Sequence, residues 1–259
     1  MATSTSISAA NLFDVSGIVA VVTGGGSGKL TTGILLYALI KRELTEISTK
    51  ASDRDIVIPI QCDVTDQSSL KAAVARIEAD TGYINLLIAN SGIAGPSGSV
   101  PPGSSIAELQ ETLYNIPMQD FTNTFHVNCT AVFYTTIAFL GLLDAGNKNG
   151  SYSNGRSQVI ATSSIGSFNR RISAGEVKMG RVLTKMVVFP TDLTTDLYQG
   201  KNPTEEGAFP LDQIPAERAG TPEDIMGPLL YLASRAGAYC NGNCVLTDGG
   251  RLSVTPATY

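Results

Sequence analysis

Short runs of consecutive apolar residues recur along the chain, each rich in β-branched side chains and bounded by glycine or polar residues. Continuous apolar runs of this kind are typical of strands that are buried on both faces of a parallel sheet. The pattern predicts four strands, at Gly17–Thr23, Ile56–Cys62, Ile84–Ala89 and Gln158–Thr162. A further run predicts a last strand at Cys244–Thr247.

Segments with helical spacing of apolar residues alternate with these runs. Ser68–Ala79 keeps its charged residues off the apolar face, which predicts an amphipathic helix. Asp120–Leu143 predicts a long, mostly buried helix, and the Gly-, Asn- and Ser-rich segment Gly146–Gly155 predicts a surface loop. The Thr-Pro-Glu sequence that opens Thr221–Ser234 is typical of a helix N-terminus. Strands that alternate with helices predict βαβ units, and without a repeat or a linker we expect one domain over residues 1–259.

The segment after the first strand allows two interpretations. If Ile34–Ile40 is a strand, Lys29–Gly33 alone remain for the crossover, whereas parallel strands need a connection of about a dozen or more residues. If instead Leu30–Lys50 is largely one helix, the second strand of the sheet is missing. In both cases the predicted fold class is α/β, a single doubly wound parallel sheet with one or two shortened crossover units.

Composition and charge exclude some classes of function. The 259 residues include 18 Lys and Arg and 23 Asp and Glu, which gives a net charge of −5 and no basic excess for a nucleic-acid partner. With 43% hydrophobic and 16% charged residues, the chain can bury a sizeable core. The longest uncharged stretch, Thr81–Ala107, is broken by Gly, Pro and Ser. Val127–Leu143 is more apolar, but Asn128 and several threonines interrupt it, so we expect a buried helix there and no membrane segment.

The first residues and the cysteines indicate the compartment. Met1–Asn11 has no basic cluster before an apolar run, which argues against a secretory signal. The four cysteines are scattered along a long chain, so we expect no disulfide framework and a cytoplasmic protein. The single histidine, His126, cannot complete a zinc site with Cys240 and Cys244, so we expect no metal.

A glycine-rich turn, Thr23–Gly28 (T-G-G-G-S-G), follows the first predicted strand. At the carboxyl end of a buried strand, such a turn lets the backbone approach a pyrophosphate and presents N–H groups to it. Glycine-rich loops are common, so the turn by itself fits a plain tight turn equally well.

Further motifs follow this turn in an order that resembles the short-chain dehydrogenase/reductase family over nearly the whole chain. The turn matches the family's cofactor turn. The other matching motifs are Cys62-Asp63-Val64, Ala89-Asn90-Ser91-Gly92, the helix residue Asn128, Thr162–Gly166, Arg218–Ile225 and Thr247–Gly250. The resemblance implies a Rossmann-like fold and a nicotinamide cofactor.

The resemblance also implies roles for individual residues. Ser164 would orient a substrate carbonyl, and Asn128 would help a water molecule to relay protons. Lys41-Arg42 matches the basic residues that take a 2′-phosphate, so NADP(H) is favoured over NAD(H), although a solvated helix start explains this pair equally well. The residues expected to hold the cofactor are Gly24, Ser27, Gly28, Arg42, Asp63, Val64, Asn90, Gly92 and Thr191.

The chain departs from the family at the acid/base pair. The family's reaction needs a Tyr-x-x-x-Lys motif, and at the expected distance this chain has Glu176–Arg181. Between Ser164 and Thr191 the aromatic residues are two phenylalanines, so no local shift of register restores the tyrosine. No residue is therefore identified as the proton donor.

Two further observations concern this departure. Tyr37 and Lys41 have the required spacing, but they lie in the cofactor-binding half, so we do not expect them to form a catalytic pair. The segment Glu176–Val188 must provide both the family's long helix and the strand after it. Like the first crossover, it has too few residues for the elements that the family places there. Two such losses between intact family motifs lead to the hypothesis that coding segments are deleted or mis-joined.

Two functions follow from these residues. The first is an NAD(P)-dependent oxidoreductase that reduces a carbonyl, or oxidises an alcohol, of a small or acyl-chain substrate. The alternative is a catalytically defective relative that binds a nucleotide or a protein partner, or a truncated product. The resemblance further implies a homodimer or homotetramer.

Overall fold

The structure is a computed structural model that describes residues 8–25, 35–40, 57–96, 100–101, 103–150, 155–165, 168 and 202–256. The chain divides into two compact units. The sheet unit comprises Met1–Asn90, Tyr134–Ala161 and Pro222–Val245, and the second unit comprises Ser91–Phe133, Thr162–Thr221 and Leu246–Tyr259. The expectation of one domain over residues 1–259 stays a prediction.

Five parallel strands form the sheet. They are β1 Val19–Thr23, β2 Leu35–Ile40, β3 Val57–Gln61, β4 Leu86–Ala89 and β5 Gln158–Ala161. Their order is β3-β2-β1-β4-β5. The four strands predicted from apolar runs in the first part of the chain are confirmed with slightly narrower bounds, and so is the predicted α/β class with a parallel, Rossmann-like sheet.

The centre of the sheet explains why these strands are continuously apolar. All five residues of β1 are buried, and Val21 has no exposed surface. Val21 lies opposite Tyr37 of β2 on one side and opposite Leu87 of β4 on the other, and both of these side chains are also fully buried. A strand covered on both faces has no position that favours a polar side chain.

The structure decides between the two interpretations of the segment after β1. Leu35–Ile40 is a strand, with register Val19↔Leu35 to β1 and Ile40↔Gln61 to β3. The single-helix interpretation is wrong, because strands on both sides satisfy the backbone of this apolar run. The connection from β1 to β2 covers residues 24–34, about the minimum for a parallel crossover, and residues 26–34 lie outside the described part.

The helices mostly follow the predicted periodicity. The predictions for Ser68–Ala79 and Thr221–Ser234 are confirmed as α2 and α6. The full set of helices is α1 Ala9–Leu12, α2 Gln67–Asp80, α3 Ile106–Tyr114, α4 Met118–Phe125, α5 Ala131–Asn149, α6 Pro222–Ala233 and α7 Arg251–Val254, with a π turn at His126–Thr130 and a 3₁₀ turn at Arg235–Gly237. Asp66 caps α2 by accepting hydrogen bonds from the backbone N–H groups of Ser68 and Ser69.

The predicted long helix exists, but it is less buried than expected. Helix α4, the π turn and α5 continue one another from Met118 to Asn149. Phe139 is fully buried, whereas Phe133 is 60% exposed and Leu140 is 49% exposed. The helix therefore carries apolar residues on two sides, and one of these sides faces the interior.

Two predictions near the ends of elements are wrong. Gly146–Gly155 is not a loop throughout, because α5 continues to Asn149. A Cβ on Gly146 would lie 2.1 Å from the carbonyl oxygen of Ile84, so this glycine lets the helix pack closely against the chain before β4. The residues Cys244–Thr247 form no strand and pair with none of the five strands of the sheet.

The stretch Met118–Asn149 is also the part of the described chain that is long and apolar enough to cross a membrane, by length and composition. A core helix of a soluble protein meets the same criterion, so this is weak evidence for a membrane span. The expected absence of a membrane segment stays a prediction.

Candidate active site

The topology of the sheet unit points to one edge of the sheet. The chain runs from β1 outward to β2 and β3, and then returns to β4 on the other side of β1. In doubly wound sheets, ligands bind outside the carboxyl ends of the strands where the strand order reverses in this way. The residues at that point here are Thr23 at the end of β1, Gly24 directly after it, and Asn90 directly after β4.

Two hydrogen bonds join the strand ends at this point. The backbone N–H of Asn90 donates to the hydroxyl oxygen of Thr23 over 2.9 Å, and the side-chain amide of Asn90 donates to the backbone carbonyl of Thr23 over 3.1 Å. Thr23 is 2% exposed. Asn90, which the sequence predicted as a cofactor ligand, therefore fixes the edge of the candidate cofactor site, and direct contact of Asn90 with a cofactor stays a prediction.

Sequence reasoning missed Thr23 as a site residue. Its signal was weak but present, because a hydroxyl side chain stands at the last position of a buried strand directly before the glycines. A buried hydroxyl costs little free energy when it accepts a hydrogen bond from the end of the neighbouring strand.

The two described glycines of the turn allow a backbone conformation and a close packing that a side chain would hinder. Gly24 has φ +69°, a left-handed conformation that favours glycine, and its N–H donates to the carbonyl of Leu39 over 2.9 Å. A Cβ on Gly25 would lie 2.8 Å from a methyl carbon of Val22, so the turn packs closely on β1. Because the N–H of Gly24 is engaged by the sheet, other residues must supply the donors for a phosphate. Ser27 and Gly28 lie outside the described residues.

The acidic residue after β3 is held in place by its neighbours. One carboxylate oxygen of Asp63 accepts hydrogen bonds from the backbone N–H of Thr65 at 3.0 Å and from its hydroxyl at 2.6 Å. The N–H of Asp63 donates to the hydroxyl of Ser69 in α2 over 2.9 Å. Asp63 is half-buried, Val64 is buried, and burial raises the pKa of the Cys62 thiol just before them. This arrangement fixes the position of the Asp63 carboxylate, and its predicted contact with an adenine stays a prediction.

In the second unit, Asn128 holds the chain around Gly92. Its side-chain oxygen accepts a hydrogen bond from the N–H of Ile93 at 2.9 Å, and its amide donates to the carbonyl of Ile93 at 3.0 Å. Asn128 lies in the π turn, where the N–H of Ala131 donates to the carbonyl of His126. Such turns are rare and are found mostly at functional sites. Both polar groups of the Asn128 side chain thus hold the backbone at Ile93, and the predicted part of Asn128 in a proton relay through water stays a prediction.

Ser164 lies in the second unit, three residues after the end of β5. It is 5% exposed, whereas the preceding Ser163 is exposed. A buried hydroxyl in a polar turn is suited to make directed hydrogen bonds. Its predicted contact with a substrate carbonyl stays a prediction.

The structure gives an independent reason to set Tyr37 aside. Its side chain is fully buried in β2, and burial raises the pKa of the phenol. The nearby Thr81 hydroxyl opposes this rise of the pKa only in part, and within the described part of the chain the phenol oxygen has no hydrogen-bond partner. A buried phenol with a raised pKa is unsuited to acid/base catalysis near neutral pH.

Some predicted site residues lie outside the described part of the chain. These are Ser27, Gly28, Arg42, Thr191 and the segment Glu176–Arg181. Among the described residues, no group of three or more His, Cys, Asp or Glu side chains comes together as a metal site would require. The expected absence of a metal stays a prediction.

Comparison with known sequences places this site in context. The family model described as short chain dehydrogenase matches residues 19–175. The chain is 38% identical to the short-chain dehydrogenase/reductase SAT3 of Stachybotrys chartarum, over 91% of this chain and 98% of that protein. It is 36% identical to the short-chain dehydrogenase/reductase PhomF of Diaporthe leptostromiformis, over 98% of both chains. A 3-oxoacyl-[acyl-carrier-protein] reductase, MabA of Mycobacterium tuberculosis, is 25% identical over 74% of this chain and 75% of that protein.

Solved structures share the fold. A short-chain type dehydrogenase/reductase from Mycobacterium marinum superposes with a TM-score of 0.71 at 23% identity, over 95% of this chain and 99% of that chain. The RhlG/NADP complex of Pseudomonas aeruginosa gives 0.66 at 20% identity, over 93% and 98%. A 3-ketoacyl-(acyl-carrier-protein) reductase from Brucella melitensis complexed with NADH gives 0.65 at 15% identity, over 92% and 99%.

The alignments to these relatives contain positions at which this chain has no residue. The match to PhomF extends over 287 aligned positions, of which this chain, at 98% of its 259 residues, fills about 254. PhomF therefore has about 33 residues opposite which this chain has none. The same comparison with SAT3 gives about 35 such residues. This difference supports the hypothesis of internal losses.

We predict that Asn128→Ala destabilises the second unit by about 1–3 kcal/mol, because the N–H and carbonyl of Ile93 lose their shared partner. Urea denaturation measures this change in the free energy of unfolding. The matched control is Asn123→Ala, since Asn123 is exposed in α4 and bonds only an exposed glutamine side chain. Equal and small effects of the two substitutions would contradict the positioning role of Asn128.

Proposed function

The chain belongs to the short-chain dehydrogenase/reductase family and is an NAD(P)-dependent oxidoreductase, and on that premise we propose its substrate class, cofactor preference and assembly. The substrate is a carbonyl compound, or the corresponding alcohol, that is small or carries an acyl chain. The likeness to a 3-oxoacyl-[acyl-carrier-protein] reductase supports the acyl-chain option. The observation that carries the proposed position of the cofactor is the pair of hydrogen bonds between Thr23 and Asn90 where the strand order reverses.

The chain's own residues would hold the cofactor and orient the substrate. Gly24 shapes the turn after β1, Asp63 offers an acceptor to the adenine, and Asn90 fixes the edge on which the cofactor lies. The bound nicotinamide supplies or takes up the hydride. Asn128 holds the backbone next to Gly92, and Ser164 donates a hydrogen bond to the substrate oxygen. Val64, Ser27, Gly28 and Thr191 complete the proposed cofactor contacts.

We propose a preference for NADP(H) over NAD(H). Its support is the basic pair Lys41-Arg42, which follows the carboxyl end of β2 at Ile40. In dinucleotide-binding folds, an arginine near this strand end accommodates the 2′-phosphate that distinguishes the two cofactors. We also propose a cytoplasmic location, which the four free cysteines support.

The proton that balances the hydride has no assigned donor in this chain. The Tyr-x-x-x-Lys pair is absent from the sequence between Ser164 and Thr191. Catalysis would therefore depend on orientation of the carbonyl and on its polarisation by Ser164, which stabilises negative charge as it develops on the oxygen.

We further propose that the protein is a homodimer or homotetramer that assembles through α5. Phe133, Ile137 and Leu140 follow one another at helical spacing on this helix and are 60%, 48% and 49% exposed. A stripe of large apolar side chains on the surface favours burial against another protein surface. A second copy offers the same stripe, so the contact is self-complementary about a twofold axis.

We predict that Phe133→Asp weakens self-association at least tenfold, because it removes an apolar contact and places a charge in the proposed interface. Analytical ultracentrifugation over a range of concentrations measures the effect. Tyr239→Asp is the control, since Tyr239 is fully exposed elsewhere in the chain. A wild-type chain that sediments as a monomer throughout would contradict the proposed assembly.

We predict that Ser164→Ala lowers the rate of carbonyl reduction with NADPH by about 10²–10³, the usual loss when one donor to a developing oxyanion is removed. Reduction of a panel of small ketones and 3-oxoacyl thioesters, followed by NADPH absorbance, measures the rate. Ser163→Ala is the control, because the neighbouring Ser163 is exposed and has no proposed role. Turnover that is indifferent to Ser164→Ala would remove Ser164 from the mechanism.

A further inference from the structure

Asparagine followed by glycine occurs at three places in the sequence, and two of them differ sharply in their surroundings. The three pairs are Asn149-Gly150, Asn154-Gly155 and Asn241-Gly242. Asn154 lies outside the described residues, so the comparison is between the other two. Asn149 is the last residue of the 19-residue helix α5, whereas Asn241 and Gly242 are exposed and belong to no helix or strand.

Few hydrogen bonds hold the chain around Asn241. The N–H of Cys240 donates to the carbonyl of Gly237 over 2.8 Å, and Asp248 is bonded within the turn that starts α7. Between Cys240 and Asp248, the described residues form one further hydrogen bond, from the N–H of Cys244 to the side-chain oxygen of Asn243. A segment held so weakly samples other conformations at little cost in free energy.

We propose that Asn241 is a site of spontaneous deamidation. The backbone nitrogen of Gly242 attacks the side-chain amide carbon of Asn241, a new C–N bond closes a five-membered imide, and the C–Nδ2 bond breaks. The proton of the attacking N–H leaves with ammonia. Water then opens the imide at either carbonyl, which gives aspartate or isoaspartate at position 241 without any oxidant or reductant.

The structure explains why this site is distinct from the neighbouring asparagines. Gly242 has no side chain to hinder the approach of its nitrogen, and exposure lets water reach the imide. In α5, the helical backbone of Asn149 keeps the following nitrogen away from the side-chain carbon. At Asn243, the N–H of Cys244 points at the side-chain oxygen over 2.8 Å, and the cysteine side chain crowds the attack.

The product would change this surface in two ways. An aspartate at position 241 is ionised near neutral pH, so each event takes the net charge from −5 to −6. Isoaspartate also adds an atom to the backbone between Cys240 and Cys244. The protein would therefore become heterogeneous in charge with age, independently of cofactor or substrate.

The test is a time course on the purified full-length chain in mildly alkaline and mildly acidic buffers. Peptide mapping by mass spectrometry should show deamidation that accumulates at Asn241, several-fold faster than at Asn149 and faster in the alkaline buffer. Methylation by an isoaspartyl methyltransferase should label the same peptide. An unchanged Asn241, or conversion of Asn149 or Asn243 at an equal rate, would overturn the proposal.

Two variants distinguish attack by the backbone nitrogen of residue 242 from a general opening of the chain. Gly242→Ala adds a methyl group beside the attacking nitrogen and should slow deamidation at Asn241 several-fold. Gly150→Ala is the matched control and should leave the rate at Asn241 unchanged. The same rate at Asn241 in both variants would contradict the proposed attack by the nitrogen of residue 242.

Discussion

The candidate site depends on how the strands β1 and β4 are fixed to each other. At their carboxyl ends, Asn90 donates two hydrogen bonds to Thr23, one to the hydroxyl and one to the carbonyl. At their amino ends, the side chain of Asn85 accepts from the N–H of Val19, and the N–H of Asn85 donates to the carbonyl of Val19. A buried hydrogen bond of this kind adds about 1 kcal/mol to stability, but an unpaired partner costs more. Both ends of the strand pair are therefore held in register, and the edge where the strand order reverses keeps its shape.

The second unit uses an asparagine in a similar way. Asn128 turns its amide toward the backbone of Ile93, with a donor and an acceptor each within 3.0 Å. Asn128 is the buried residue of the π turn, whereas His126 and Thr130 at the ends of this turn are exposed. In both units, residues that a motif search assigns to a ligand act first on the neighbouring backbone. Direct contact of these residues with a cofactor stays a prediction.

Much of the sheet could be predicted from the sequence, because strands buried on both faces require continuous apolar runs such as that of β1. The strand β2 was undecided, since its short crossover conflicted with its composition, and only pairing with both β1 and β3 settles it. The expected strand at Cys244–Thr247 is absent, because a short apolar run does not by itself specify pairing with a sheet. Thr23 was missed because its partner, Asn90, is 67 residues away. The exposure of Phe133 depends on tertiary packing that periodicity alone does not specify.

The function of this chain depends on binding of a nicotinamide cofactor, although the connection from β1 to β2 is short and the sequence between Ser164 and Thr191 lacks the acid/base pair. Titration of the purified, full-length chain with NADPH and with NADH, followed by nucleotide fluorescence, tests this most directly, with circular dichroism to confirm that the chain is folded. We expect saturable binding of both nucleotides, with NADPH bound more tightly than NADH. A folded chain that binds neither nucleotide would show that the glycine turn and the sheet edge beside it hold no cofactor.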